Sequence, residues 1–465
     1  MKRWRVRTAT APLRGEVRVP GDKSIGHRAL IFASLAEGEC TVHGLSGGLD
    51  NSATAAALRE MGVSIERDGA TARIVGVGLR GLRIPSGVLD CGNSGTTMRL
   101  LAGLLVAQRF GTRLVGDASL SRRPMKRLIE PLRARGGHIA GTVRLESQDL
   151  FPPISVAPLV EGEYLIGLEH EMAVASAQVK SALLISGLYA RGLTAVREPV
   201  LSRDHTERMM RALGVPLERV GPMVVLDPSG WRGGWDPFTW EVPGDPSSAA
   251  FFVAAAHLVP KSEVTVKGVC VNPTRTGFFD VLRSMGSGTY LLPQGEAAGD
   301  EPLADVVVDR SVSLAGTRTG GELVTRMIDE VPAFAAMAAG ARGKTEIRDA
   351  GELRVKESDR IATMTAVLSA FGVACEELDD GMRIEGAARL HAAHVESGGD
   401  HRIAMSAAVL GLRAEGETIV DDVDCVDTSF PGFAALLRGL GADIVEEQVD
   451  GPGHADLDRA SGAAS

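Results

Sequence analysis

Two stretches of the chain crowd charge in a way that suits work on a small polyanion. Leu353 to Arg360 places Lys356, Glu357, Asp359 and Arg360 within five positions at an expected helix start. On a helix, residues four apart share a face, so Lys356 and Arg360 would point the same way with Glu357 beside them. Asp117 to Pro124 sets Arg122 and Arg123 just ahead of an expected proline-started helix. Taken alone, each stretch also fits a solvated charged face. Asp329 and Glu357 are the candidates for proton transfer, which needs an acid or base beside the reacting atoms. Nearby cations would hold both ionised and lower their pKa values. A working acid here therefore needs something that offsets them.

Other polar residues collect at the openings of apolar helices. Six such openings are Pro20–Arg28, Cys91–Arg99, Ala175–Lys180, Pro243–Ser248, Ile328–Ala333 and Gly398–Arg402. A helix N-terminus presents free N–H groups and a partial positive charge, which together favour phosphate or carboxylate. Ordinary N-capping accounts for the Ser and Asp residues. It does not account for the added Lys23, Arg28 and Arg402.

These openings belong to a repeat. A helix ending in glycine and running into a strand recurs six times, at Gly62, Gly136, Gly214, Gly286, Gly372 and Gly441, at intervals of 69 to 86 residues. Glycine takes the left-handed conformation after a helix at no steric cost. Hairpin signals such as Asp68-Gly69 and Asp380-Gly381 close some of the units. Each unit reads as strand, helix, strand, helix and a final strand pair, and six of them fill nearly the whole chain. The segment from Glu446 to Ser465 has no period and reads as a loose tail.

The chain has 465 residues, a length suited to two large domains, and only 4% of them are aromatic, so the cores must rest on small aliphatic side chains. A net charge of −9 argues against nucleic acid as a partner. It leaves room for a local cationic cleft. Five scattered cysteines show neither a C-x-x-C pair nor zinc-ligand spacing, which suits a reducing cytosol and predicts no metal. The opening residues lack the apolar stretch of a secretory signal, and no apolar run is long enough to span a bilayer. The expectation is a soluble cytoplasmic protein with no membrane association.

In sum these residues resemble the 5-enolpyruvylshikimate-3-phosphate synthases. The resemblance rests on Pro20-Gly-Asp-Lys-Ser with Arg28, Gly92-Asn-Ser-Gly-Thr96, Arg123-Pro124, Ser202-Arg-Asp-His205, Arg354-Val-Lys-Glu-Ser-Asp-Arg360 and Gly399-Asp-His-Arg-Ile-Ala-Met405, which run in the family's order. It implies an α/β fold of two domains, each of three β-α-β-α-β-β units, the inside-out α/β barrel of the enolpyruvyl transferases. Crossings near Pro20 and Pro243 would give one domain of residues 21–242 and a second of 1–20 plus 243–445, with 446–465 as the tail. The implied reaction joins phosphoenolpyruvate to shikimate 3-phosphate by addition and elimination, with no cofactor and in a monomer. Carried over by motif, Lys23, Ser24, Arg28, Ser176, Ala177, Gln178, Ser202, Asp329 and Lys356 would surround the shikimate phosphate. Lys23, Gly95, Arg123, Gln178, Arg360 and Arg402 would hold phosphoenolpyruvate. Asp329, Glu357 and Lys23 would do the proton chemistry.

The sequence departs from that pattern in places. Ala177 stands where many members have a second serine, and Asp427 where some place a lysine on phosphoenolpyruvate. Leu100 follows Arg99 where members sensitive to glyphosate often have proline, while Gly95 leaves room for that inhibitor. The sister transferase acting on UDP-N-acetylglucosamine generally carries a reactive cysteine before Arg-Pro, and the loop from Asp117 to Arg123 has none. An RNA 3′-phosphate cyclase, built on related repeats, is opposed by the acidic balance and the scarcity of aromatic stacking platforms. A non-catalytic binding protein would follow if Ala177 and Asp427 marked lost activity.

Overall fold

The computed structural model describes residues 1–144, 147–309 and 313–449; the rest of the expected tail, 450–465, lies outside the described residues. Each polar opening is followed by an apolar helix: Lys23–Ser34, Gly95–Leu105, Ala177–Gly187, Pro246–Leu258, Val331–Ala338 and His401–Gly411. Pro246–Leu258 is buried at every position. A helix that is apolar on all sides has to be enclosed. These six therefore form the inside of the molecule, and the last three pack on one another. Side chains at the openings supply the caps: Asp22, Ser94, Ser176, Asp245 and Asp400 each accept a backbone N–H of the helix that follows.

The helices between them are less enclosed. Leu49–Glu60, Lys126–Ala134, Arg360–Ala370 and Phe433–Gly439 leave part of their length exposed along one side, and His205–Ala212 and Gly277–Ser284 are exposed only at their last two residues. The six repeat glycines follow them, all with positive φ, from +72° at Gly214 to +103° at Gly441. Two expected starts shift. The helix after Arg123-Pro124 begins at Lys126, and the one after the Lys356 cluster begins only at Arg360, capped by Asp359. Lys356 thus lies outside that helix and shares no helical face with Arg360.

Among the described residues the strands form six four-stranded sheets. Each has a parallel pair extended by antiparallel neighbours, as in the order Leu89–Asp90, Thr112–Val115, Leu150–Val156, Ile139–Val143. Strand residues alternate between buried and exposed, as in Thr71–Val75, so one sheet face covers the helices and the other meets solvent. No sheet among the described residues closes into a barrel.

Pairing does not follow chain order throughout. Arg14–Val17 precedes the first unit but lies beside Glu263–Cys270, and Thr239–Glu241 precedes the fourth unit but lies beside Glu39–His43. Lys2–Arg7 completes the last sheet, between Glu417–Asp421 and Ile444–Gln448. That last strand continues to Gln448, past the expected start of the tail. Buried apolar side chains gather into two cores, one from 25–242 with Cys270 and Ala298, the other from 4–19 and 249–444. No helix among the described residues is long and apolar enough to cross a membrane.

Backbone contact sets the positions of two openings. A Cβ added to Gly103 would lie 2.4 Å from the Ala182 carbonyl oxygen, so the helices Gly95–Leu105 and Ala177–Gly187 touch main chain to main chain. Backbone cannot rotate away as a side chain can. Gly103→Ala is expected to lower stability by about 1–3 kcal/mol despite the better helix propensity of alanine, read as a lower urea midpoint at unchanged slope.

Candidate active site

Five of the six inner helix openings, all but Pro243–Ser248, meet with the loops at Arg123 and Lys356 around a cavity of about 420 Å³. It is lined by Lys23, Ser24, Gly95, Arg123, Ser176, Ala177, Gln178, Ser202, Asp329, Lys356, Glu357, Arg360 and Arg402. Residues of both cores face it. Eight lysines and arginines line it against five carboxylates, an excess of three positive charges in a chain that is acidic overall. Low-dielectric walls strengthen such a local field.

Asp329 is the most heavily paired carboxylate. Arg203 donates to its Oδ2, while Lys356 Nζ and Arg360 Nη1 lie 3.5 and 3.6 Å from Oδ1. Arg402 donates to its backbone carbonyl at 2.6 Å. Burial works against the charge, but Lys356, Arg203, Arg402 and Arg360 together hold the group well below the usual carboxylate range. The Asp329 oxygen, rather than a shared helical face, is what brings Lys356 and Arg360 together.

Glu357 lies on the other side of Arg360, with Oε2 2.7 Å from Arg360 Nη2 and Oε1 3.7 Å from Arg123 Nη1. Against the effect of burial, Arg360 and Arg123 keep it well below its ordinary value. Arg360 is 1% exposed and also binds Asp400 through Nε and Nη2 at 2.8 and 3.1 Å. One guanidinium thus separates and orients three carboxylates, the planar fork that only arginine offers. Lys23 Nζ sits 2.8 Å from Asp50; burial opposes its charge, yet Asp50 and Glu357 hold its pKa above the ordinary value.

Polar groups on the remaining walls are fixed by their neighbours. Gln178 accepts from Arg99 at 2.7 Å and donates to Thr96 at 2.8 Å. Ser202 donates to Glu198, which also takes the buried Lys180 ammonium at 2.7 Å. Arg123 donates to Asn93 at 2.7 Å. A methyl group on Gly95 would stand 2.7 Å from Arg99 Nη1 and 3.2 Å from Arg123 Nη1, so a side chain here would have to push these guanidinium groups aside.

Arg28 does not line the cavity. Its guanidinium is buried behind Ser24, donating to the Ser24 carbonyl, Thr206 and Ser181, because its place on the second helical turn aims it at the neighbouring helices. Asp427 is also outside the cavity, and its carboxylate pairs with Lys2 at 2.9 Å. Six lining charges escaped the reading of the chain: Asp50, Arg99, Arg127, Arg203, Asp349 and Glu352. Arg99 follows Gly95 by one helical turn and Arg203 lies inside a quoted motif, so both had a signal. Asp50, Arg127, Asp349 and Glu352 had none.

A cation-rich cavity with two ionised carboxylates on its wall suits a transferase that seats two small acids side by side. Residues 7–437 match the model of the family described as EPSP synthase (3-phosphoshikimate 1-carboxyvinyltransferase). The chain is 52% identical to the 3-phosphoshikimate 1-carboxyvinyltransferase of Geobacter metallireducens over 95% of its length and 100% of that protein. Against the Geobacter sulfurreducens enzyme of the same name it is 53% identical, covering 91% and 96%. The solved EPSP synthase of Acinetobacter baumannii superposes with a TM-score of 0.84 at 40% identity, over 96% of this chain and 100% of that one. The enolpyruvyl transferase NikO from Streptomyces tendae shares the fold at 17% identity, with a TM-score of 0.76 over 97% and 99% of the two chains. The chain belongs to the EPSP synthase family.

Proposed function

We propose that this cavity performs the family's reaction with a division of labour set by its charges. The reaction moves the enolpyruvyl group of phosphoenolpyruvate to the 5-hydroxyl of shikimate 3-phosphate and releases phosphate, a shikimate-pathway step toward chorismate and the aromatic amino acids. Arg123, Arg360, Arg402 and Lys23 take the phosphate and carboxylate of phosphoenolpyruvate, with Gly95 leaving the space. Lys356, Ser24, Ser176, Gln178 and Ser202 take the acceptor, beside the apolar Ala177.

Asp329 accepts the proton of the 5-hydroxyl as its oxygen attacks C2 of phosphoenolpyruvate. Glu357, assisted by Lys23, gives a proton to C3, producing the tetrahedral intermediate. Loss of phosphate and return of a C3 proton to Glu357 then release the enolpyruvyl ether. The observation that supports this most directly is the placing of Asp329 and Glu357 on opposite arms of Arg360, 3.6 and 2.7 Å from its Nη1 and Nη2. Preorganised cations of this kind stabilise charge that develops in the transition state.

Proton balance follows from the charges. Glu357 is held ionised in the free protein by Arg360 and Arg123. Bound polyanions offset those cations, so its pKa rises and binding favours proton uptake. Calorimetric binding of phosphoenolpyruvate with the acceptor, in buffers of different ionisation enthalpy, is expected to show net proton uptake.

We read the protein as a cytoplasmic monomer of two domains, 21–242 and 1–20 plus 243–445. Two separate cores support the two domains, and a cavity lined within one chain supports the monomer. Its function is tested by phosphate release from phosphoenolpyruvate with shikimate 3-phosphate. Release only when UDP-N-acetylglucosamine replaces that acceptor would refute the assignment.

A further inference from the structure

Behind the cavity, where the chain passes twice between the halves, lies a buried charge cluster with no part in the steps above. The two passages pair with each other: Gly21 and Gly244 form a β-bridge, the Asp22 N–H donates to the Pro243 carbonyl at 2.6 Å, and the Asp245 N–H donates to the Pro20 carbonyl at 3.0 Å. Asp22 and Asp245 then cap the helices that follow. Arg275, 1% exposed, reaches both. Its Nη1 donates to Asp22 Oδ2 at 2.8 Å, and its Nη2 to Asp245 Oδ1 at 3.2 Å, Ser247 Oγ at 2.9 Å and Glu330 Oε1 at 3.2 Å. Ser247 in turn donates to Glu330. The Lys23 N–H lies 3.5 Å from Asp245 Oδ2.

The neighbours along the chain give the cluster its meaning. Asp22 immediately precedes Lys23, and Glu330 immediately follows Asp329. One buried cation among three carboxylates is a costly way to hold a fold, since apolar packing commonly does as well or better. Burial and the charge of Asp22 raise the pKa of Asp245 against the pull of Arg275 and Arg402, while at Asp22 burial is outweighed by Arg275 together with its other neighbours and the pKa is lowered. What apolar contacts do not supply is a directional tie to two backbone segments from different halves.

We propose that Arg275 is a positioning residue whose forked guanidinium, through Asp22 and Glu330, keeps Lys23 and Asp329 in register across the two halves. This rests on the roles assigned above to those two residues. Small misplacements of reacting groups are enough to lower turnover by about 10²-fold, so the lock matters to chemistry more than to binding.

Arg275→Lys keeps the charge and loses the fork. It is expected to lower kcat about 10–100-fold while the KM of each substrate changes less than about threefold. A purely structural role would move the unfolding midpoint and leave kcat per folded molecule unchanged. Turnover within about twofold of wild type in folded Arg275→Lys overturns the proposal. If that variant does not fold, Glu330→Gln is read in the same way: it keeps the side-chain shape, weakens the tie beside Asp329, and a normal kcat again overturns it. Absence of phosphate release by the wild-type protein would instead refute the assigned function, so the two failures are told apart.

Discussion

Arg360→Ala is expected to be the most damaging single change, costing at least about 10²–10³-fold in kcat/KM and about 3–5 kcal/mol of stability. The side chain is 1% exposed and holds Asp400 at 2.8 Å, Glu357 at 2.7 Å and Asp329 at 3.6 Å. Its removal leaves three largely buried carboxylates without their shared cation. They respond by taking up protons, because burial raises a carboxyl pKa once the compensating cation is gone. The sign of the pH effect follows. Asp329, Glu357 and Asp400 have depressed values in the folded protein. Their contribution to stability is present above the unfolded carboxyl range of about 4 and is lost as pH falls through the depressed values. In Arg360→Ala that contribution is reduced at neutral pH, so the stability difference between the two proteins narrows toward acid. Urea unfolding at several pH values, beside steady-state kinetics, reads both effects. A variant as stable and as active as wild type would mean that the guanidinium only fills space.

Glu357→Gln is the second, with kcat expected to fall about 10²–10⁴-fold and KM to change little. The amide keeps the shape and can still receive a hydrogen bond from Arg360, but it can neither deliver nor recover the C3 proton. Ground-state binding of phosphoenolpyruvate depends on Arg123, Arg360, Arg402 and Lys23, all of which remain. One negative charge fewer beside those cations favours the anionic substrate, so KM should hold or drop. Loss in kcat at constant KM identifies an interaction used in the chemical step. Near-normal turnover would remove Glu357 from the mechanism. Asp329→Ala should follow the same pattern at the acceptor end, with an added cost in binding because Lys356, Arg203 and Arg360 lose their common partner.

Both variants act on groups that were visible in the chain before any fold was known. Lys23, Arg123, Glu357, Arg360 and Arg402 stand out as charges beside helix starts. The six glycines with positive φ and the Asp and Ser caps mark where helices stop and begin. A cap or a left-handed turn depends on a few adjacent residues, so reading along the chain was enough to find the six units and the openings that carry the chemistry.

Folding decided the rest. Arg14–Val17 and Thr239–Glu241 exchange sheets, and Lys2–Arg7 closes the last unit some 400 positions away from its partners. The Lys356 side chain is brought to Arg360 by the Asp329 carboxylate, not by a helical face they share. Arg28 turns into the packing between helices, and Asp427 turns outward to Lys2. Arg203, Asp50 and Arg275 take their importance from partners that are distant in the chain. Strand choice and the direction of a charged side chain are settled by the energies of contacts between remote segments, which local residue order does not encode.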